Sequence, residues 1–154
     1  MLETCRVLDL TDHRGLVCGQ ILRDLGADVI HVEPPGGSGA RRVGPFAGDV
    51  EHPERSLHWW AYARGQRSIV VDLDDRAGRD ELLRLARGAD FLVESAAPGA
   101  MAARGLGYAD LATAVAAGDT LYVLQGREEN GLRGLRNSNA TMTLGATEEK
   151  LFKN

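Results

Sequence analysis

The chain has 154 residues, 44% hydrophobic and 26% charged, values ordinary for a single α/β domain that buries about two-thirds of its unfolded surface. With 18 basic and 22 acidic residues the net charge is −4, and no basic run exceeds Arg41-Arg42, so nucleic acid and anionic membrane are not expected partners. The acidic amino terminus does not read as a signal peptide, and no window approaches the roughly 18 apolar residues of a membrane span, so the expected location is the cytoplasm.

Cys5 to Leu10 is a short aliphatic run closed by Thr11-Asp12, which suits a buried first strand. After a turn over Thr11 to Gly15, the spacing of Leu16, Ile21, Leu22 and Leu25 predicts a helix stopped by Gly26. Ala27 to Glu33 reads as the second strand, completing a βαβ unit of the kind that closes between parallel strands. Pro34 to Asp49 holds too many prolines and glycines for a regular element and is expected to be a long, functional loop. A short helix over Ser56 to Arg64, a third strand over Arg67 to Leu73 and an amphipathic helix over Asp74 to Arg87 follow. Asp90 to Glu94 gives a fourth strand, Pro98 to Gly105 and Tyr108 to Ala117 two short helices, and Thr120 to Gln125 a fifth strand. Apolar strands alternating with helices predict an α/β, Rossmann-like parallel sheet with helices on both faces.

From about residue 127 the composition changes. Asn130, Asn137, Asn139 and Asn154 are all the asparagines of the chain, and Lys150 and Lys153 all its lysines; arginine is the only permanent cation before them. The segment lacks a sustained hydrophobic period, so residues 1–126 are expected to form one domain and 127–154 an atypical, flexible tail. Both a natural flexible terminus and a foreign or frame-shifted ending fit that composition.

Several competing signals are weak. Cys5 and Cys18 lie in apolar contexts without CxxC or Cys/His spacing and read as reduced core residues. His13, His31, His52 and His58 show no metal-ligand spacing, so no metal site is expected. Gly36, Gly37 and Gly39 follow the second strand and lack both a GxGxxG pattern and a lysine; without a glycine fingerprint in the first turn, Glu33 is a poor candidate for a ribose-binding acid. Trp59 and Trp60 suit packing on a short helix better than a stacking platform.

The order of motifs is informative. VLDLT, then LRDLGADVIHVEPPGG with ARRVGPF, then RGQRSIVVDLDDRAGRDELLRL, then ADFLVESAAPGAMAARGLGY together resemble the amino-terminal region of class III (family III) CoA-transferases, a superfamily that also includes α-methylacyl-CoA racemases. The resemblance runs from about Arg6 to about Ala114. It implies a Rossmann-like domain, incomplete here relative to the full family fold, with coenzyme A or acyl-CoA bound as substrate and no permanent cofactor. A carboxylic acid acceptor and a homodimer of interlocked subunits are implied for the full-length family.

Coenzyme A requires cations for its phosphates and apolar faces for adenine, and a parallel sheet offers a crevice at the carboxyl ends of its strands. On that basis the resemblance places the ligand against Arg14 and Gly15 in the first turn, Pro34 after the second strand, Arg67 ahead of the third, and Val71 and Leu73 as adenine-pocket walls. A solvated surface role for Arg14, an ion-pair role for Arg67 and a plain core role for Val71 fit equally. Ser95 and Ala96 stand where the family commonly has asparagine and an aromatic, which weakens the contact there. Arg104 stands one residue beyond the arginine of some relatives, whose position falls on Ala103, and could replace it only if the helix start were rotated, because adjacent helical residues point about 100° apart.

Family chemistry runs through an aspartate that forms a mixed anhydride and then an aspartyl-CoA thioester. The resemblance places that aspartate several dozen residues beyond Gln125, whereas no aspartate follows Asp119. No catalytic residue is therefore assigned. Asp9 and Asp72 are read as local hydrogen-bonding residues. An acyl-CoA racemase-type fragment and a non-catalytic, self-associating fragment are the alternative readings.

Overall fold

The computed structural model describes residues 1–115, 121–125 and 141–144. Strands β1 (Arg6–Leu10), β2 (Asp28–Glu33), β3 (Arg67–Val70), β4 (Phe91–Glu94) and β5 (Tyr122–Gln125) are joined in the sheet order β3-β2-β1-β4-β5, all neighbours parallel. β6 (Thr141–Leu144) adds to β5 in the antiparallel sense. These four residues lie in the segment expected to be a flexible tail, where four residues of alternating type are too short for a strand to be read from sequence alone. The rest of that segment lies outside the described residues.

The helices form where local chemistry satisfies their open ends. α1 (Leu16–Asp24) stops at Leu25, and Gly26 adopts the left-handed conformation (φ +104°) that terminates the helix. α2 (Leu57–Tyr62) begins at Ser56, whose hydroxyl accepts from the Trp59 N–H at 3.1 Å, and α3 (Arg76–Ala86) begins at Asp75, whose carboxylate accepts from the Ala77 N–H at 3.0 Å. α4 (Ala100–Ala103) and α5 (Tyr108–Ala114) follow β4. The loop after β2 is irregular apart from two single 3₁₀ turns at Gly39–Arg42 and Ala47–Asp49.

Side chains alternate across the strands, so the sheet has two faces of different character. Val7, Val29 and Val93 pack with Leu22 and Cys18 of α1 on one face. Leu8, Ile30, Val32 and Leu92 pack with Leu82 and Ala86 of α3, Met101 of α4 and Leu111 of α5 on the other. Leu8 pairs in register with Ile30 on one side and Leu92 on the other. Each such fully buried leucine contributes about 1.5–3 kcal/mol of transfer free energy. The predicted helices on both faces are therefore present, and the order of strands reverses at β1, which neighbours β2 and β4. Such a reversal leaves a crevice beyond the carboxyl ends of the strands.

Candidate functional site

That crevice is a cleft of about 460 Å³ lined by Leu10, Val32, Pro34, Pro35, Val71, Asp72, Leu73, Asp74, Ala96, Met101 and Arg104. Leu10, Val32 and Ala96 come from the ends of β1, β2 and β4, while Val71 to Asp74 form the turn that leads from β3 into α3. Its floor is apolar because these positions continue the face that packs against α3 and α4. Five of the nine sequence-predicted residues, Pro34, Val71, Leu73, Ala96 and Arg104, are brought together here. Val71 is buried and belongs to the core as well as to the cleft lining.

Arg104 is the residue whose direction the helix phase left open. It caps the carboxyl end of α4, and its Nε donates to Asp74 Oδ1 at 2.8 Å. The short helix ends before it, so Arg104 lines the cleft from a cap position. Asp74 was missed as a partner because it precedes Arg104 by 30 residues and no spacing rule connects them. The Asp74 turn is held independently: its own N–H donates to Asp72 Oδ1 at 3.0 Å, and Arg79 Nη1 donates to its carbonyl at 2.9 Å. Asp72 thus has the local role expected from sequence.

Arg14 and Gly15 lie in the neighbouring first turn, against Ser95 at the end of β4. Arg14 grips Asp12 through Nε and Nη2, at 2.9 and 2.7 Å from Oδ2, and Nη2 reaches the Ser95 carbonyl at 3.5 Å. Ser95 accepts from the Asp12 N–H at 2.9 Å and so ties the turn to the end of β4. Gly15 is the residue before α1. Burial alone would raise the Asp12 carboxyl, but the hydrogen bonds and charge of Arg14 outweigh it and hold the group below its ordinary value. Asp9 also acts locally: its Oδ1 accepts from the Thr11 N–H at 2.9 Å.

Arg67 is not brought into this group. Its Nε donates to Asp28 Oδ1 at 3.0 Å, and Asp28 is shared with Arg6 Nε at 3.1 Å. Asp28 opens β2, so this cluster lies at the amino ends of the strands, opposite the cleft. The two guanidinium groups overcome the upward push of burial and keep the Asp28 carboxyl below its usual range. Of the two readings open for Arg67 in sequence, this is the ion-pair geometry.

On the α1 face the same carboxyl ends are filled with polar groups. Glu33 is 2% exposed, and its carboxylate accepts from Arg41 Nε at 2.6 Å, Arg41 Nη2 at 2.7 Å, the Ser38 N–H at 2.7 Å and the Ser68 hydroxyl. Burial would raise its carboxyl, but these donors hold it down to about 2. Arg41 lies 4.1 Å from the Trp59 ring centre, and Trp59 meets His31 edge-on at 5.2 Å. His31 Nδ1 is 3.5 Å from Asp9 Oδ2 inside the same wall. Glu33 is thereby committed to protein partners and is not offered to a ribose. Among the described residues no cluster of three or more His, Cys, Asp or Glu is arranged to hold a metal, and no helix is long and apolar enough to cross a membrane.

The sequence matches CoA-transferase family III over residues 2–115. It is similar to the succinyl-CoA:(R)-benzylsuccinate CoA-transferase subunit BbsE of Thauera aromatica, with 43% identity over 106 residues that are 69% of this chain and 26% of that protein. It is likewise similar to the probable fatty acyl-CoA transferase Rv3272 of Mycobacterium tuberculosis, with 40% identity over 111 residues, 71% of this chain and 28% of that protein. A crystal structure of Rv3272 superposes with a TM-score of 0.68 at 37% identity, covering 86% of this chain and 36% of that one. A CAIB/BAIF family protein from Brucella suis does so with a TM-score of 0.69 at 30% identity, covering 89% and 36%. The chain spans about a quarter of the length of these curated relatives. Since the match takes in β1 through α5 and every wall of the cleft, the chain belongs to CoA-transferase family III.

Proposed function

We propose that this chain is the CoA-binding portion of an enzyme that moves coenzyme A between an acyl-CoA donor and a carboxylic acid acceptor. The observation that carries the reading is the apolar cleft at the carboxyl ends of the strands, with Arg104 on its rim and Pro34, Val71, Leu73 and Ala96 in its walls. Adenine or the pantetheine arm lies on the apolar floor in this reading, and Arg104 and Arg14 offer guanidinium forks to phosphate. Ser95 and Gly15 shape the turn that presents Arg14. Arg67 acts at a distance, as part of the Asp28 cluster.

Residues 1–126 are the binding unit in this proposal, and 127–154 a segment of distinct composition. The proposal for these residues is confined to ligand binding, and none of them is assigned as a nucleophile. The cytoplasm, with its supply of acyl-CoA, is the fitting location. Titration calorimetry with CoA tests the reading: a saturable heat that Val71→Arg abolishes by filling the cleft is expected. No heat at millimolar CoA would overturn it.

A second reading rests on the exposed edge strand β3, where Val70 is 64% exposed. Unpaired edges recruit further strands, so self-association without ligand would favour a structural role. Sedimentation with and without CoA separates the two.

A further inference from the structure

The cations around the strand ends are engaged by protein oxygens, to different degrees. Arg41 is tied to Glu33 inside the fold, and Arg14 to Asp12 by a two-nitrogen grip. Arg79 donates to the Leu73 and Asp74 carbonyls and is committed to shaping the turn. Arg104 differs from all of these. Among the described residues its guanidinium has Asp74 as its one carboxylate partner, through a single contact at 2.8 Å. The Asp74 side chain is 78% exposed, compared with 38% for Asp12 and 2% for Glu33. Of the three pairs it is the easiest to open.

Asp74 lines the cleft together with Arg104, and its carboxylate is largely exposed there. Its carboxylate has no part in holding its own turn, which is fixed by the Asp74 N–H, the Asp74 carbonyl and the close approach of α3. That approach depends on Gly78, because a Cβ there would lie 1.8 Å from the Asp72 carbonyl oxygen. The charge of Asp74 is therefore separable from the architecture, and its remaining effects are electrostatic.

We propose that Asp74 is a specificity-determining residue of the cleft: by holding Arg104 and placing a negative charge at the mouth, it lowers affinity for phosphate-bearing ligands relative to uncharged ones. Ligand entry then requires exchange of the Arg104 fork from carboxylate to phosphate, while the apolar floor accepts the neutral part of the ligand with or without that exchange. The inference deepens the CoA-binding reading and rests on it for the identity of the natural ligand, but the anion discrimination itself does not.

The test uses calorimetry on the 154-residue chain and its Asp74→Asn, Arg104→Gln and doubly substituted variants, with CoA, neutral pantetheine and inorganic pyrophosphate as probes. Asp74→Asn is expected to tighten both phosphate-bearing probes by about tenfold, the size of removing one unit charge near a polyanion, and to leave pantetheine unchanged. The gain is expected to vanish when Arg104→Gln is also present. Asp74→Ser provides a second variant if Asn perturbs the turn. If pyrophosphate gains but CoA binds neither protein, the discrimination stands and the CoA reading falls. Unchanged or weaker pyrophosphate and CoA binding by both Asp74 variants, or no binding of either anion, overturns the inference.

Discussion

The two faces of the sheet end in opposite ways. On the α1 face, the carboxyl ends of β1 and β2 present Asp9, His31 and Glu33, which are closed over by Trp59 of α2 and by Arg41 of the loop after β2. On the α3 face the same ends present Leu10 and Val32 and are left open as the cleft. The filled face spends its charge internally; the open face keeps its charged pair on the rim. A buried ion pair and an exposed one therefore stand beyond the carboxyl ends of the strands of one sheet, and the same substitution should have different consequences in each.

Arg41→Met breaks the filled face. It removes both nitrogen contacts to Glu33 and leaves a 2% exposed carboxylate without its counter-ion. The expected loss is about 3–5 kcal/mol of folding free energy, the size found when one partner of a buried pair is deleted. Urea denaturation measures it. Adding Glu33→Gln should recover a large part, since the orphaned charge goes with it; a single-variant loss below about 1 kcal/mol would show that the pair is effectively solvated.

Acid should break the same pair from the other side, by neutralising Glu33 as Glu33→Gln does. Glu33 is held at about 2 against an ordinary 4.5. A depressed folded-state value means that its stabilisation is fully present above the unfolded value and is lost as pH falls from about 4.5 through about 2. The shift corresponds to about 3 kcal/mol across that window. Denaturation midpoints of the wild type and Glu33→Gln, followed from neutral to acidic pH, should draw together as pH falls from about 4.5 and meet only at about pH 2. Parallel curves would place the acid sensitivity elsewhere.

This contrast also separates what was legible in the sequence from what was not. Elements were readable because each carries its own signal: apolar runs in β1, β2 and β4, a glycine stop after α1, and the amphipathic spacing of α3. The location of the cleft was readable as well, because a parallel sheet opens at its carboxyl ends, and Pro34, Val71, Leu73, Ala96 and Arg104 meet there. Pairing was not. Arg67 reaches Asp28 across 39 residues, Arg104 reaches Asp74 across 30, and Arg41 folds back eight residues from an irregular loop. An arginine's sequence position does not say which carboxylate it will meet, because its long side chain spans between elements whose approach is set by the packing of the core. Asp9 and Glu33 also interrupt otherwise apolar strands, a sequence sign of a buried polar layer that became interpretable only once Arg41, Trp59 and His31 were seen around them.

The smallest expected effect lies on the open face and completes the comparison. Arg104→Gln removes the cation of the rim pair as Arg41→Met removes that of the buried pair, yet the abandoned Asp74 carboxylate is mostly in water. Water replaces the lost hydrogen bond, so stability should fall by no more than about 0.5 kcal/mol, and the coupling between Arg104→Gln and Asp74→Asn in a double-substitution cycle should be equally small and should shrink with added salt. A coupling above about 2 kcal/mol would mean that the rim pair is structural like its buried counterpart, and that opening it for a ligand costs as much as opening the core. A small coupling leaves the pair free to exchange partners, which is the property that a binding rim needs and the buried pair cannot have.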